Sequence, residues 1–94
     1  MTWILYATQG CHLCENATLL LQQLAMARFV DWYHQDIIDL AQEETERLGL
    51  FIPVLKIKHE EHHWPFSLVE LIQWHQEQHQ TAVQIPSEIL KSTD

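Results

Sequence analysis

Trp3-Ile4-Leu5-Tyr6-Ala7-Thr8-Gln9-Gly10-Cys11-His12-Leu13-Cys14 is the stretch whose reading decides the fold. Trp3 to Tyr6 is a short apolar run that reads as a buried strand. Thr8-Gln9-Gly10 turns the chain, and a helix begins near Cys14. Ala17, Leu20, Leu21 and Leu24 then recur at helical spacing and form its buried face. The only two cysteines of the chain therefore sit three apart where a helix starts. A thiol in that place faces free backbone N–H groups and the positive end of the helix dipole, both of which favour the thiolate. A cysteine so placed can ionise well below the ordinary thiol value of about 8.5. That placement, more than the spacing itself, points to thiol–disulfide redox chemistry.

Further along, Phe29 to Gln35 alternates in part and is rich in aromatic and β-branched residues, which predicts a second strand. Asp36-Ile37-Ile38 leads to a second helix. Asp39 is its expected N-cap with Gln42 completing a capping box, Leu40 and Leu48 face the core, and Gly49 is the expected left-handed stop. Phe51 to Lys58 predicts a third strand. A turn at His59-Glu60-Glu61 and a short strand over His62-His63-Trp64 complete a hairpin. Ser67-Leu68-Val69-Glu70 is a second capping box, with Phe66 and Leu71 as a hydrophobic staple. The third helix runs from there to about His79 and buries Leu68, Leu71, Ile72 and His75.

Strand–helix–strand near the start implies a parallel pair with a crossover, and the late hairpin adds antiparallel strands. The expected architecture is α/β: a four-stranded mixed sheet with three helices on both faces. Residues 1–79 form one domain, and 80–94 form a C-terminal extension or loose tail.

With 94 residues, 5 basic and 13 acidic side chains, the chain carries a formal charge of −8. That balance argues against nucleic acid as a partner. No secretory signal pattern opens the chain and no apolar stretch approaches a membrane span. Two cysteines are too few for a secreted disulfide framework. A cytoplasmic monomer is the expectation, without a membrane partner.

The strand ending Leu5-Tyr6, the motif Cys11-His12-Leu13-Cys14, Ile52-Pro53-Val54 and Trp64-Pro65-Phe66-Ser67-Leu68 together resemble the thioredoxin superfamily. Within it, Gly10 to Glu15, Ile52 to Leu55 and Trp64-Pro65-Phe66 look like a small bacterial glutaredoxin-like family. The resemblance implies a thioredoxin-like, glutaredoxin-type fold and a cis Ile52-Pro53 bond beside the dithiol. The backbone of Ile52 would then receive an extended substrate as an added strand. It also implies substrate contacts from Pro53, His12, Trp64 and Ser67. Glutaredoxins place a lysine where this chain has Thr8, and a Gly-Gly followed by acids where it has His63 to Ser67. The redox centre therefore carries over more fully than glutathione recognition does.

The expected function is that of a dithiol oxidoreductase. Cys11 attacks a disulfide of a protein or a glutathione mixed disulfide, and Cys14 resolves the mixed disulfide. No cofactor is expected, with glutathione as a candidate electron donor. His12 either tunes the thiolate or is simply solvated, and Trp64 either walls the substrate cleft or packs. Glu15 reads as a helix N-terminal acid whose charge opposes a nearby thiolate. Two other readings stay open: a thioredoxin-fold binding module, and a zinc or iron–sulfur site without redox turnover. In the metal reading His59 and His62 complete the cysteine pair, although no metal ligand is assigned.

Overall fold

The computed structural model describes residues 2–78. The expected boundary near residue 79 and the extension over 80–94 lie outside the described residues. The elements are β1 (Thr2–Ala7), α1 (His12–Ala27), β2 (Asp31–Asp36), a 3-10 turn (Ile37–Asp39), α2 (Gln42–Gly49), β3 (Val54–Ile57) and β4 (Glu60–His63). A third helix, α3, follows and is described over 68–78.

The sheet has the order β2-β1-β3-β4. β1 pairs parallel with β2, Leu5 opposite His34 and Ala7 opposite Asp36. It pairs antiparallel with β3, Leu5 opposite Leu55 and Tyr6 opposite Val54. Strand alternation sends neighbouring residues to opposite faces, and both faces are covered. On one face Trp3, Leu5, Leu55 and Ile57 pack with Ala17, Leu21 and Leu24 of α1 and with Phe66 and Leu71. On the other, Tyr6 and Val54 pack with Ile37 and Leu48, with Ile4, Leu40 and Ile52 at the margin. The apolar runs of β1 and β3 are continuous because both strands are central and covered twice. This is the mixed four-stranded α/β sheet with helices on both faces that the sequence implied.

Several boundaries differ from expectation. β2 begins at Asp31, and Phe29 stands outside it, 92% exposed. Asp39 does not cap α2: it ends the 3-10 turn, whose own cap is Asp36, with Oδ1 accepting from Ile38 N at 3.1 Å. α2 starts at Gln42 after Ala41, which has no side-chain cap. Thr45 Oγ1 instead donates to carbonyls in this region, Ala41 O at 3.2 Å among them. Gly49 is the last helical residue rather than a left-handed stop, and Leu50 after it is right-handed at φ −82°. Among the described residues of this half of the chain, the left-handed one is Lys58, at φ 58° in the β3–β4 turn. β3 is shorter than expected, and β4 is drawn from Glu60 rather than His62.

The second capping box forms in both directions. Ser67 N donates to Glu70 Oε1 at 2.9 Å, and Glu70 N donates to Ser67 Oγ at 3.1 Å. Arg47 of α2 binds both oxygens of Glu44 and both of Glu61, joining α2 to β4. Its charge and hydrogen bonds hold the Glu44 and Glu61 carboxyls below the usual carboxylate range. Burial, followed by the charge of Glu61, raises the Tyr6 phenol.

Candidate functional site

α1 begins where β1 runs out at the centre of the sheet, so the first turn of α1 stands at the carboxyl ends of the parallel pair. Gly10, at φ +78°, makes the sharp entry. Only glycine takes that conformation without penalty. Cys11 then serves as the N-cap of α1: its backbone is extended and its Sγ accepts the Cys14 N–H at 3.2 Å. A sulfur thus occupies the place where serine or aspartate usually caps a helix. Cys11 and Cys14 form a disulfide, with Cα atoms 5.2 Å apart. The two are unequal: Cys14 is 3% exposed, whereas Cys11 is half-buried at the surface. One sulfur is therefore open to attack and the other shielded.

A cleft of about 330 Å³ opens beside this disulfide. Ala7, Thr8, Gln9 and Gly10 form its floor, Cys11, Cys14, Glu15 and Thr18 one wall, and His34 and Asp36 the other. His34 and Asp36 are two apart on β2, so they share the face covered by α1. The walls touch through Thr18. Its hydroxyl donates to Cys14 O at 2.9 Å and lies 2.8 Å from His34 Nε2. The His34 ring also stands edge-on to Trp32, with centroids 5.0 Å apart.

The other residues expected at the site are placed differently. His12 is the first residue of α1, its side chain 95% exposed and its Nδ1 3.8 Å from Glu15. The Ile52-Pro53 bond is cis, as is Trp64-Pro65. Ile52 N–H is committed to Leu48 O at 3.1 Å, so a strand added there would have to use the Ile52 carbonyl. Trp64 packs toward the larger core and meets Phe66 edge-on at 5.1 Å. Ser67 spends its hydroxyl and its N–H on the capping box. Ile52, Pro53, His12, Trp64 and Ser67 do not line the cleft. Thr18, His34 and Asp36, drawn from its two walls, are what the sequence reading passed over. The available signal was topological, since ligands of α/β sheets bind outside the carboxyl ends of the strands.

His62, considered above as a metal ligand, stacks on Trp74 with centroids 3.9 Å apart. Its Nε2 lies 3.6 Å from Glu60. Among the described residues no three His, Cys, Asp or Glu side chains are grouped to hold a metal ion. No described helix is long and apolar enough to cross a membrane.

A four-stranded mixed sheet covered by helices, with a cysteine pair where the first helix begins, defines the thioredoxin-like class. The chain belongs to the glutaredoxin-like domain family (DUF836), whose model matches residues 2–83. It is similar to the structural-genomics target XcR50 from X. campestris, with 34% identity, a TM-score of 0.66, and coverage of 80% of this chain and 96% of that one. It is also similar to thioredoxin 1 from Thermosipho africanus, with a TM-score of 0.67 over 87% of this chain and 98% of that one. At 17% identity the second likeness speaks for the fold alone. No curated protein matches the chain.

Proposed function

We propose that the protein is a dithiol thiol–disulfide oxidoreductase, working as a monomer in the cytoplasm. Cys11 is its nucleophile and Cys14 its resolving thiol. The observation that carries this reading is the inequality of the sulfurs: Cys11 caps α1 at the surface while Cys14 is 3% exposed. In the reduced protein the Cys11 sulfur, as a thiolate, accepts the Cys14 N–H and faces the positive end of the α1 dipole. It attacks a foreign disulfide, joins one half of it and expels the other as a thiol. Cys14 then gives up its proton and attacks Cys11, which releases the second thiol and leaves the Cys11–Cys14 bond. The substrate is a disulfide-bearing protein or a low-molecular-weight disulfide such as a glutathione mixed disulfide. Glutathione is a candidate electron donor. Ile52, Pro53, Trp64, His12 and Ser67 remain the proposed outer contacts for a bulky substrate.

The test is a thiol count and ultraviolet titration of the reduced protein, joined to reduction of a glutathione mixed disulfide and of insulin. Two thiols, counted in the unfolded protein, should vanish on mild oxidation, and Cys11→Ser should abolish turnover of both substrates. Thiolate absorbance should appear below the ordinary thiol range. A Cys11 that ionises like an unperturbed thiol, with neither substrate reduced, would end the proposal.

A further inference from the structure

The charge of the cleft bears on what kind of disulfide it takes. Among the described residues its lining holds two carboxylates, Glu15 and Asp36, and no lysine or arginine. The described cations are engaged or set elsewhere. Arg47 is bound to Glu44 and Glu61, Arg28 stands at the far end of α1, and Lys56 and Lys58 lie on β3 and its turn. Asp36 keeps its place because Oδ1 caps the 3-10 turn. Glu15 sits in the first turn of α1, where the helix dipole favours an anion. His34, held by Thr18, is the other titratable group of the lining, and His12, outside it, lies 3.8 Å from Glu15. Both acids line the cleft beside the one reactive bond of the molecule, in a chain whose formal charge is −8.

We infer that the dithiol selects disulfides whose halves carry positive charge, such as a cysteine flanked by basic residues or an aminothiol disulfide. Glu15 and Asp36 are the residues that set this preference, which rests on the oxidoreductase reading above. A bound ammonium gains from both carboxylates, and an incoming carboxylate is repelled by both. Each partly exposed charge pair is worth a factor of roughly 1.5 to 5. The two together favour a cationic substrate over a neutral one by about 2- to 25-fold, and disfavour an anionic one by a similar factor.

The experiment uses the full chain, reduced and freed of reductant, in single turnover with three small disulfides. These are cystamine (two ammonium groups), bis(2-hydroxyethyl) disulfide (neutral) and dithiodiglycolate (two carboxylates). Each turnover is protein dithiol plus RSSR giving protein disulfide plus two RSH, so no other reductant enters. Rates are divided by those of dithiothreitol with the same disulfide, which removes differences in intrinsic reactivity.

The expected order is cationic, neutral, anionic, with ratios shrinking from low salt to 1 M salt, where the screening length falls to about 3 Å. Glu15→Gln with Asp36→Asn should bring the cationic-to-neutral ratio toward one. Glu43→Gln with Glu46→Gln, which removes the same charge from α2, should leave that ratio standing. Because Asp36→Asn can loosen the 3-10 turn, Glu15→Gln alone and the salt series on the unaltered protein are read as well. Equal normalised rates for the three disulfides, or an order unmoved by salt and by the cleft substitutions, would overturn the charge assignment while leaving the oxidoreductase reading intact. Failure to oxidise with any of the three would instead overturn that reading, and the inference with it.

Discussion

The two glycines of the chain should respond to alanine in opposite directions. Gly10 sits at φ +78°, and a Cβ built on it meets nothing within 4 Å. Its substitution cost is therefore a backbone cost alone. The left-handed conformation costs an L-residue roughly 1 to 2 kcal/mol, offset by roughly 0.4 to 1 kcal/mol from a stiffer unfolded chain. Gly10→Ala should destabilise by about 1 kcal/mol, lowering Tm by roughly 4 to 8 °C in a domain of this size. Gly10→Asn should cost less, because asparagine tolerates that region. Gly49 has no positive φ, ends α2, and a Cβ there would touch Ile37 Cδ1 at an ordinary 3.9 Å. Gly49→Ala should therefore stabilise by about 0.5 to 1 kcal/mol through helix propensity. Urea unfolding of the oxidised protein reads both, as a shifted midpoint at constant slope. Were Gly49→Ala to destabilise as Gly10→Ala does, α2 would end in the left-handed stop that its sequence pattern suggests. A neutral Gly10→Ala would refute the tight entry into α1.

Three further outcomes are expected. Leu5→Ala, at a fully buried position opposite Leu55, should cost about 2 to 5 kcal/mol, and an equilibrium unfolding shift under 1 kcal/mol would deny that position its place in the core. Ser67→Ala should remove about 1 kcal/mol by opening the reciprocal cap of α3, and hydrogen exchange at Glu70 N should rise. Glu61 has its folded carboxyl lowered by Arg47, so in acid the unfolded state binds more protons and stability rises with pH through the carboxylate range. The Glu61 contribution is thus present at neutral pH and lost on acidification, and Glu61→Gln should flatten that part of the stability–pH curve.

The site was legible wherever local spacing carries the chemistry. Cys11 and Cys14 at the start of an amphipathic helix already specify a helix-capped sulfur pair, because capping and the dipole act within one turn. Ser67 and Glu70 were legible for the same reason. Asp39 and Gln42 show where such reasoning fails. Their spacing matches a capping box, yet Asp36 claims the turn first and Thr45 serves the carbonyls around α2. Local motifs compete, and packing of Ile37 and Leu48 on the second face of the sheet selects among them.

By itself the sequence determined the order of elements, the two covered faces of the sheet and the cysteine pair. All three follow from hydrophobic period and from contacts a few residues apart. Tertiary structure alone decided that His34 and Asp36, some twenty residues beyond Cys14, stand across a cleft from it. It also decided that Trp64 and His62 turn toward ring partners, and that Arg47 ties α2 to β4. Those pairings depend on which strands become neighbours and in what register, and register is set by burying both faces at once, not by any stretch read alone.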